Sequence, residues 1–374
     1  MQPEFAPAEF AAESDVGPNG HSGLATAPDR GRVRQTQAVE QTTPLLTGAE
    51  VATTADAIEA CQQPDGLILW FDGGHADPWN HVEAAMALAS AGRHRAAENA
   101  YEWLQANQHD AGSWHNYYTA LGIKDFKVDT NCCAYVSVGV WHHWLATGDR
   151  GFVEAMWPTV ARALDFVVSL RTASGHIPWA VHANGTPWPY ALLTGSSSIV
   201  QSLRCGLALA ELTGHERPAW ARTLARTEHQ IRHRPDGFEP KDRWAMDWYY
   251  PVLCGALTGA QARSHLAAGA PKFLLSQGVR CVADQSWVTA AETCECALAY
   301  LRSGSAATAR RLVEATSAMR NDDGSYYTGW VVPKSRTFPD GERSSYTAAA
   351  VLLAADALDR RSSAAGALIT TPSG

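Results

Sequence analysis

The chain has 374 residues, with 30 Lys and Arg against 38 Asp and Glu, a net charge of −8 with His neutral. That balance excludes the basic surface of a nucleic-acid binder, and 46% hydrophobic against 18% charged residues excludes a disordered chain or a coiled coil. No run approaches the roughly 20 apolar residues that span a bilayer, and Met1 to Phe10 carries Glu4 and Glu9 in place of a basic start and an apolar stretch, so a cytoplasmic protein is expected.

Residues 1–48, rich in Pro, Gly, Ser, Thr and Gln, read as a disordered arm. A single domain is expected over 49–361 and a short flexible tail over 362–374. Within the domain two sets of glycines alternate. Ala91-Gly92, Thr147-Gly148, Thr213-Gly214, Thr258-Gly259 and Ser303-Gly304 close apolar runs, where a left-handed residue after a helix favours the absence of Cβ. Asp65-Gly66, Ala111-Gly112, Ser174-Gly175, Asp236-Gly237 and Asp323-Gly324 sit in polar turns.

Amphipathic runs such as His94 to Gln108 and Phe152 to Leu170 alternate with more uniformly apolar ones such as Trp79 to Ala91, Asn131 to Ala146, Ser197 to Leu212 and Glu292 to Leu301. A helix apolar on all sides belongs inside, and an amphipathic one outside. Six inner helices are expected, beginning near Asp77, Asp129, Ser196, Asp247, Thr289 and Ser345. Six helical hairpins of about 50 residues make an all-α (α/α)6 toroid. Eight cysteines, with Cys132 and Cys133 adjacent and Cys294 and Cys296 one residue apart, fit reduced buried thiols better than a disulfide framework.

Two families carry related patterns. Tyr101 to Gln108 followed by Asp110-Ala-Gly-Ser-Trp114 resembles the Gln/Trp motif of squalene-cyclase and prenyltransferase toroids, with weaker copies at Cys61 to Trp70 and Ala318 to Tyr326. Thr147-Gly-Asp149, Trp157-Pro158, Arg162 to Phe166 and Gly175 to Trp179 are similar instead to six-hairpin, glucoamylase-like glycosidases. The chain departs from both. It lacks the Asp-x-Cys zinc ligands of prenyltransferases and the Asp-x-Asp-Asp acid of squalene cyclases. Ala191-Leu192-Leu193 stands where glucoamylases carry an acidic pair before Gly195-Ser196-Ser197, and Gly329 falls near their second carboxylate.

The residues that open the inner helices line one mouth of such a ring, which is the expected site. Asp77, Asp129, Asp247 and Glu292 are the candidate catalytic carboxylates. Asp77 and Asp129 equally suit helix caps, the former with Pro78 at the first helical position. Trp79, His81, Glu83, Trp188, Trp248, Tyr249 and Trp287 are candidate substrate contacts, with His81 equally suited to a satisfied core position. Neither a metal site nor a cofactor is expected: His229 and His233 lack a zincin Glu, Cys294 and Cys296 lack a partner pair at zinc spacing, and no phosphate loop or dinucleotide motif occurs. Three functions follow: a carbohydrate-active enzyme with an acid and a base on the rim, an isoprenoid enzyme with one acid in a dry aromatic pocket, or a toroid that binds without catalysis. The partner is a small molecule, sugar or isoprenoid.

Overall fold

A computed structural model describes residues 43–333 and 336–372. The expected arm over 1–48 lies mostly outside them, and from Leu45 onward the chain forms one compact unit.

The inner ring consists of α2 (Pro78–Ser90), α4 and α5 (Thr130–Ala134 and Val136–Thr147), α7 (Leu193–Leu212), α9 (Ala245–Leu253), α11 (Ala290–Arg302) and α13 (Ser345–Asp359). Each packs on the next, and α13 packs back on α2 to close the circle. Outside lie α1 (Gly48–Glu59), α3 (His94–Ala106), α6 (Arg150–Ser169), α8 (Pro218–His233), α10 (Gly259–Phe273) and α12 (Ala306–Ala315). Every residue of α2 from Pro78 to Ala89 is buried, whereas α3 buries Ala96, Ala97, Ala100, Tyr101, Trp103 and Leu104 only. That contrast is the inner and outer character read from the sequence.

The Gln/Trp motif is a turn device. Gln108 Nε2 donates to the carbonyls of Gly112 (3.0 Å) and Thr159 (2.9 Å), tying its own turn to the next outer helix. Gln62 repeats the pattern with Gly66 and Ala96. Gly112 must be glycine, because its φ is +94° and a Cβ there would lie 2.2 Å from the Arg162 carbonyl oxygen.

The fold is not purely helical. β1 (Tyr117–Thr119) pairs with β2 (Gly122–Asp125), and β3 (Val128–Asp129) with β4 (Ala180–Val181). A five-stranded antiparallel sheet joins β5 (Leu274–Leu275), β6 (Gly278–Arg280), β7 (Trp287–Thr289), β8 (Tyr327–Val331) and β9 (Arg336–Arg343) in chain order. All-α is therefore corrected to a helical toroid with a sheet built into its entry loops. All of these strands except β8 and β9 have two to four residues, too short to show a period of two in the sequence.

Of the segment expected as a flexible tail, the described residues 362–372 make contacts with the ring. Ala364, Ala367 and Leu368 are buried, and Arg302 donates to the carbonyls of Leu368 (3.4 Å) and Thr370 (3.3 Å). Among the described residues no helix is long and apolar enough to cross a membrane.

Candidate active site

The entry loops are laced together at one end of the ring. Ser345 N and Oγ donate to the carbonyls of Trp70 and Leu69, both at 2.7 Å, joining the sixth entry to the first. Ala76 and Tyr118 bridge the first entry to the β1–β2 hairpin. Thr194 Oγ1 donates to Asp247 Oδ1 at 2.5 Å, joining the third entry to the fourth.

On this rim Asp77 caps α2, accepting from Asn80 N at 3.0 Å, Asn80 Nδ2 at 2.8 Å and the Trp70 indole Nε1 at 2.8 Å. Burial raises its carboxyl above the ordinary value, and these donors oppose the rise. Trp70 packs edge-on against Tyr346, with ring centroids 5.0 Å apart. Burial lifts the Tyr346 phenol, and the charges of Glu292 and Glu342 lift it further. Tyr346 thus connects Asp77, through Trp70, to a second pair of carboxylates. Glu292 is half-buried in the first turn of α11, and its charge adds to the rise that burial imposes on the Cys281 thiol. Glu342 accepts from Thr328 Oγ1 at 3.0 Å, and burial raises its carboxyl.

On the other side, Tyr117 feels both Asp77 and Asp129 after the larger effect of its own burial. Asp129 caps α4 and accepts from Trp179 Nε1 at 2.5 Å. The Trp179 ring meets Trp188 edge-on at 4.6 Å and stacks with Tyr190 at 6.0 Å, while the Lys127 ammonium lies 4.5 Å from its centroid. Trp287 stacks on Phe338 across the sheet at 4.2 Å. The rim therefore carries several carboxylates interleaved with flat aromatic surfaces, where the pocket expected of an isoprenoid enzyme has a single acid.

Below the rim lies a further carboxyl pair, Glu83 and Glu295. Glu83 Oε1 accepts from Trp79 Nε1 (3.0 Å) and the Tyr135 hydroxyl (3.2 Å). Glu295 accepts from the Tyr249 hydroxyl and, at 2.5 Å, from that of Tyr250. With Gln201 and Leu368 they line a hollow of about 20 Å³, room for about one water. Burial, then the charge of Glu295, pushes Glu83 well above the ordinary carboxylate range; burial carries Glu295 to about 7. At neutral pH this pair keeps a proton, because two adjacent buried carboxylates do not both ionise.

The structure thus brings Asp77, Asp129, Asp247 and Glu292 to one rim, along with Trp188 and Trp287. Trp79, Glu83 and Tyr249 belong to the layer beneath. Two expected contacts leave the site altogether. His81 is a core residue: its Nδ1 accepts from Ile68 N at 3.0 Å, its Nε2 meets the Ala100 carbonyl at 2.8 Å, and burial lowers it to about 4. Trp248 faces outward, stacking on Phe273 and donating from Nε1 to the His265 carbonyl. Sequence reasoning missed Glu342, Tyr346 and Glu295. Glu342 precedes the sixth inner helix and carries the same signal as the other four carboxylates; for the buried Glu295 only its place in an apolar helix could have served.

No family model matches the chain. It is 46% identical over 317 residues to the MMP endo-(1,4)-3-O-methyl-alpha-D-mannosidase of Mycolicibacterium hassiacum, covering 84% of this chain and 88% of that enzyme. The chain belongs to that enzyme's family. Among solved structures it is similar to a wild-type glycosidase (TM-score 0.65, 14% identity, 83% of this chain and 98% of that one). A D-mannose isomerase (TM-score 0.62, 13% identity, 86% and 99%) and a sugar epimerase from a ruminal bacterium (TM-score 0.62, 11% identity, 84% and 99%) share the same toroid. One scaffold hosting several reactions leaves the chemistry to the site, and family membership supports glycoside-hydrolase-like activity over the isoprenoid reading.

Proposed function

We propose that the protein is a glycoside hydrolase that cuts (1,4)-linked 3-O-methyl-α-mannose chains internally, with Glu292 as general acid and Asp77 as general base. The observation that supports this reading most is the Trp70–Tyr346 contact, through which α13, packed against both α2 and α11, links the entry that carries Asp77 to the one that carries Glu292. Glu292 gives its proton to the glycosidic oxygen as the C1–O bond breaks. Asp77 takes a proton from the water that attacks C1, and its hydrogen-bond donors offset part of the rise that burial imposes on its carboxyl. An inverting reaction of this kind needs the two carboxyls about 6.5–9.5 Å apart, with water between.

Asp129 and Asp247 serve position: the first holds Trp179, the second locks Thr194. Trp179, Trp188 and Trp287 offer faces on which pyranose rings stack. All eight cysteines are free thiols, which suits a reducing compartment such as the cytoplasm.

The test is incubation of the purified chain with (1,4)-linked 3-O-methyl-α-mannose oligosaccharides, with products followed by mass spectrometry and proton NMR. Internal cuts, with the new anomeric centre first seen as β, are expected. Binding without turnover would favour a non-catalytic toroid and refute the proposal.

A further inference from the structure

Three large apolar side chains stand exposed among the described residues, and all lie between positions 121 and 126: Leu121 fully, Ile123 at 41% and Phe126 at 54%. Single exposed apolar residues are ordinary, but a cluster marks an interaction site. These three occupy the β1–β2 hairpin and its exit. The base of the hairpin is fixed: Tyr118 exchanges backbone hydrogen bonds of 2.8 and 2.9 Å with Ala76, the residue before Asp77, and its buried ring meets Trp103 edge-on at 4.9 Å. Asn116 Nδ2 donates to Asp125 Oδ2 at 2.8 Å, and Lys124 Nζ lies 3.3 Å from His75 Nδ1 on the rim. A rigid base therefore carries an apolar tip, continuous with the catalytic mouth.

We propose that this tip is an outer subsite that grips the O-methyl groups of the glycan beyond the sugar being cut. The proposal rests on the function proposed above. An enzyme that cuts inside a chain must hold sugars past the scissile bond, and a chain leaving the mouth beside Asp77 meets this hairpin. Methylated sugars carry apolar surface that Leu121, Ile123 and Phe126 can cover, whereas bare hydroxyls would lose hydrogen bonds to water against them. A second copy of the chain is the poorer occupant, since three side chains fall well short of the ~800 Å² each partner gives a standard interface.

The test is the triple variant Leu121→Ser, Ile123→Thr, Phe126→Ser, whose exposed positions leave the core intact. Its kinetics are compared with wild type on three substrates: a long 3-O-methylated oligosaccharide, an unmethylated (1,4)-linked mannose oligosaccharide of equal length, and a methylated disaccharide. Uncovering one methyl group to water weakens binding about fourfold. KM for the long methylated substrate is expected to rise at least tenfold with kcat unchanged, while the other two substrates keep their KM. An unchanged KM, an equal loss on all three, or a change of oligomeric state in sedimentation velocity without methyl-dependent loss would overturn the proposal. Wild type that cuts the methylated chain while the variant cuts it equally well defeats this inference alone; wild type that neither cuts nor binds it defeats the proposed function too.

Discussion

Glu295→Gln separates the electrostatics of the buried carboxyl pair from its packing. The amide keeps the shape: its oxygen accepts from Tyr250, and its nitrogen donates to the Tyr249 oxygen. The ionisable proton is what disappears. Burial, opposed by the two phenols and aided by Glu292, carries the Glu295 carboxyl from an ordinary 4.5 to about 7. At about 1.4 kcal/mol per pH unit this is a preference of about 3 kcal/mol for the protonated form. Because the folded value is the higher one, the stabilisation is full below about pH 4.5 and is lost as pH rises through about 7. Wild type should lose up to about 3 kcal/mol of unfolding free energy between pH 5 and pH 8 from this group. The variant should lose less: Glu83 stays raised by its own burial but is freed of the charge of Glu295. Urea unfolding across that range reads the difference, and thermal scans should show it as a relative gain on the order of 5 °C at the alkaline end. Identical pH slopes for wild type and variant would refute the reasoning.

Gly112→Ala should destabilise by about 3 kcal/mol or more, because the new methyl group meets the Arg162 carbonyl at 2.2 Å and φ is +94°; calorimetry checks it. Removing residues 362–374 takes away Leu368 and the acceptors of Arg302, and loss of about 2–5 kcal/mol is expected in urea unfolding, as for deletion of a buried Leu. Trp179→Phe removes the indole donor from Asp129 while keeping a stacking face, so kcat/KM should fall at least fivefold, whereas Trp287→Ala, which removes the face paired with Phe338, should act mainly on KM; steady-state kinetics on the methylated oligosaccharide distinguish the two.

The ring was legible because its signals are local and repeated. Turn glycines, closing glycines and the change from amphipathic to all-apolar helices each report on one hairpin, and six copies fix the circle. Asp77 with Pro78 announces a cap that the structure contains. The sheet was illegible because strands of two or three residues such as β5 and β7 form only when the ring brings their loops together. Site residues divide on the same principle. Helix starts place Asp77, Asp129, Asp247 and Glu292 on one end of the ring whatever their rotation, but the direction in which a side chain points depends on packing. Hence Trp248, one residue from Asp247, turns outward to Phe273, and His81 satisfies two backbone groups from its buried position.

Turnover of Asp77→Asn, Glu292→Gln and the double variant on a (1,4)-linked 3-O-methyl-α-mannose oligosaccharide is the most direct measurement. If the ring makes an acid and base of residues so far apart in the chain, each single change should lower kcat by about 10²–10⁴, and the double change should cost far less than the product of the two. Single variants that keep wild-type kcat, or losses that simply multiply, would contradict a shared reaction centre.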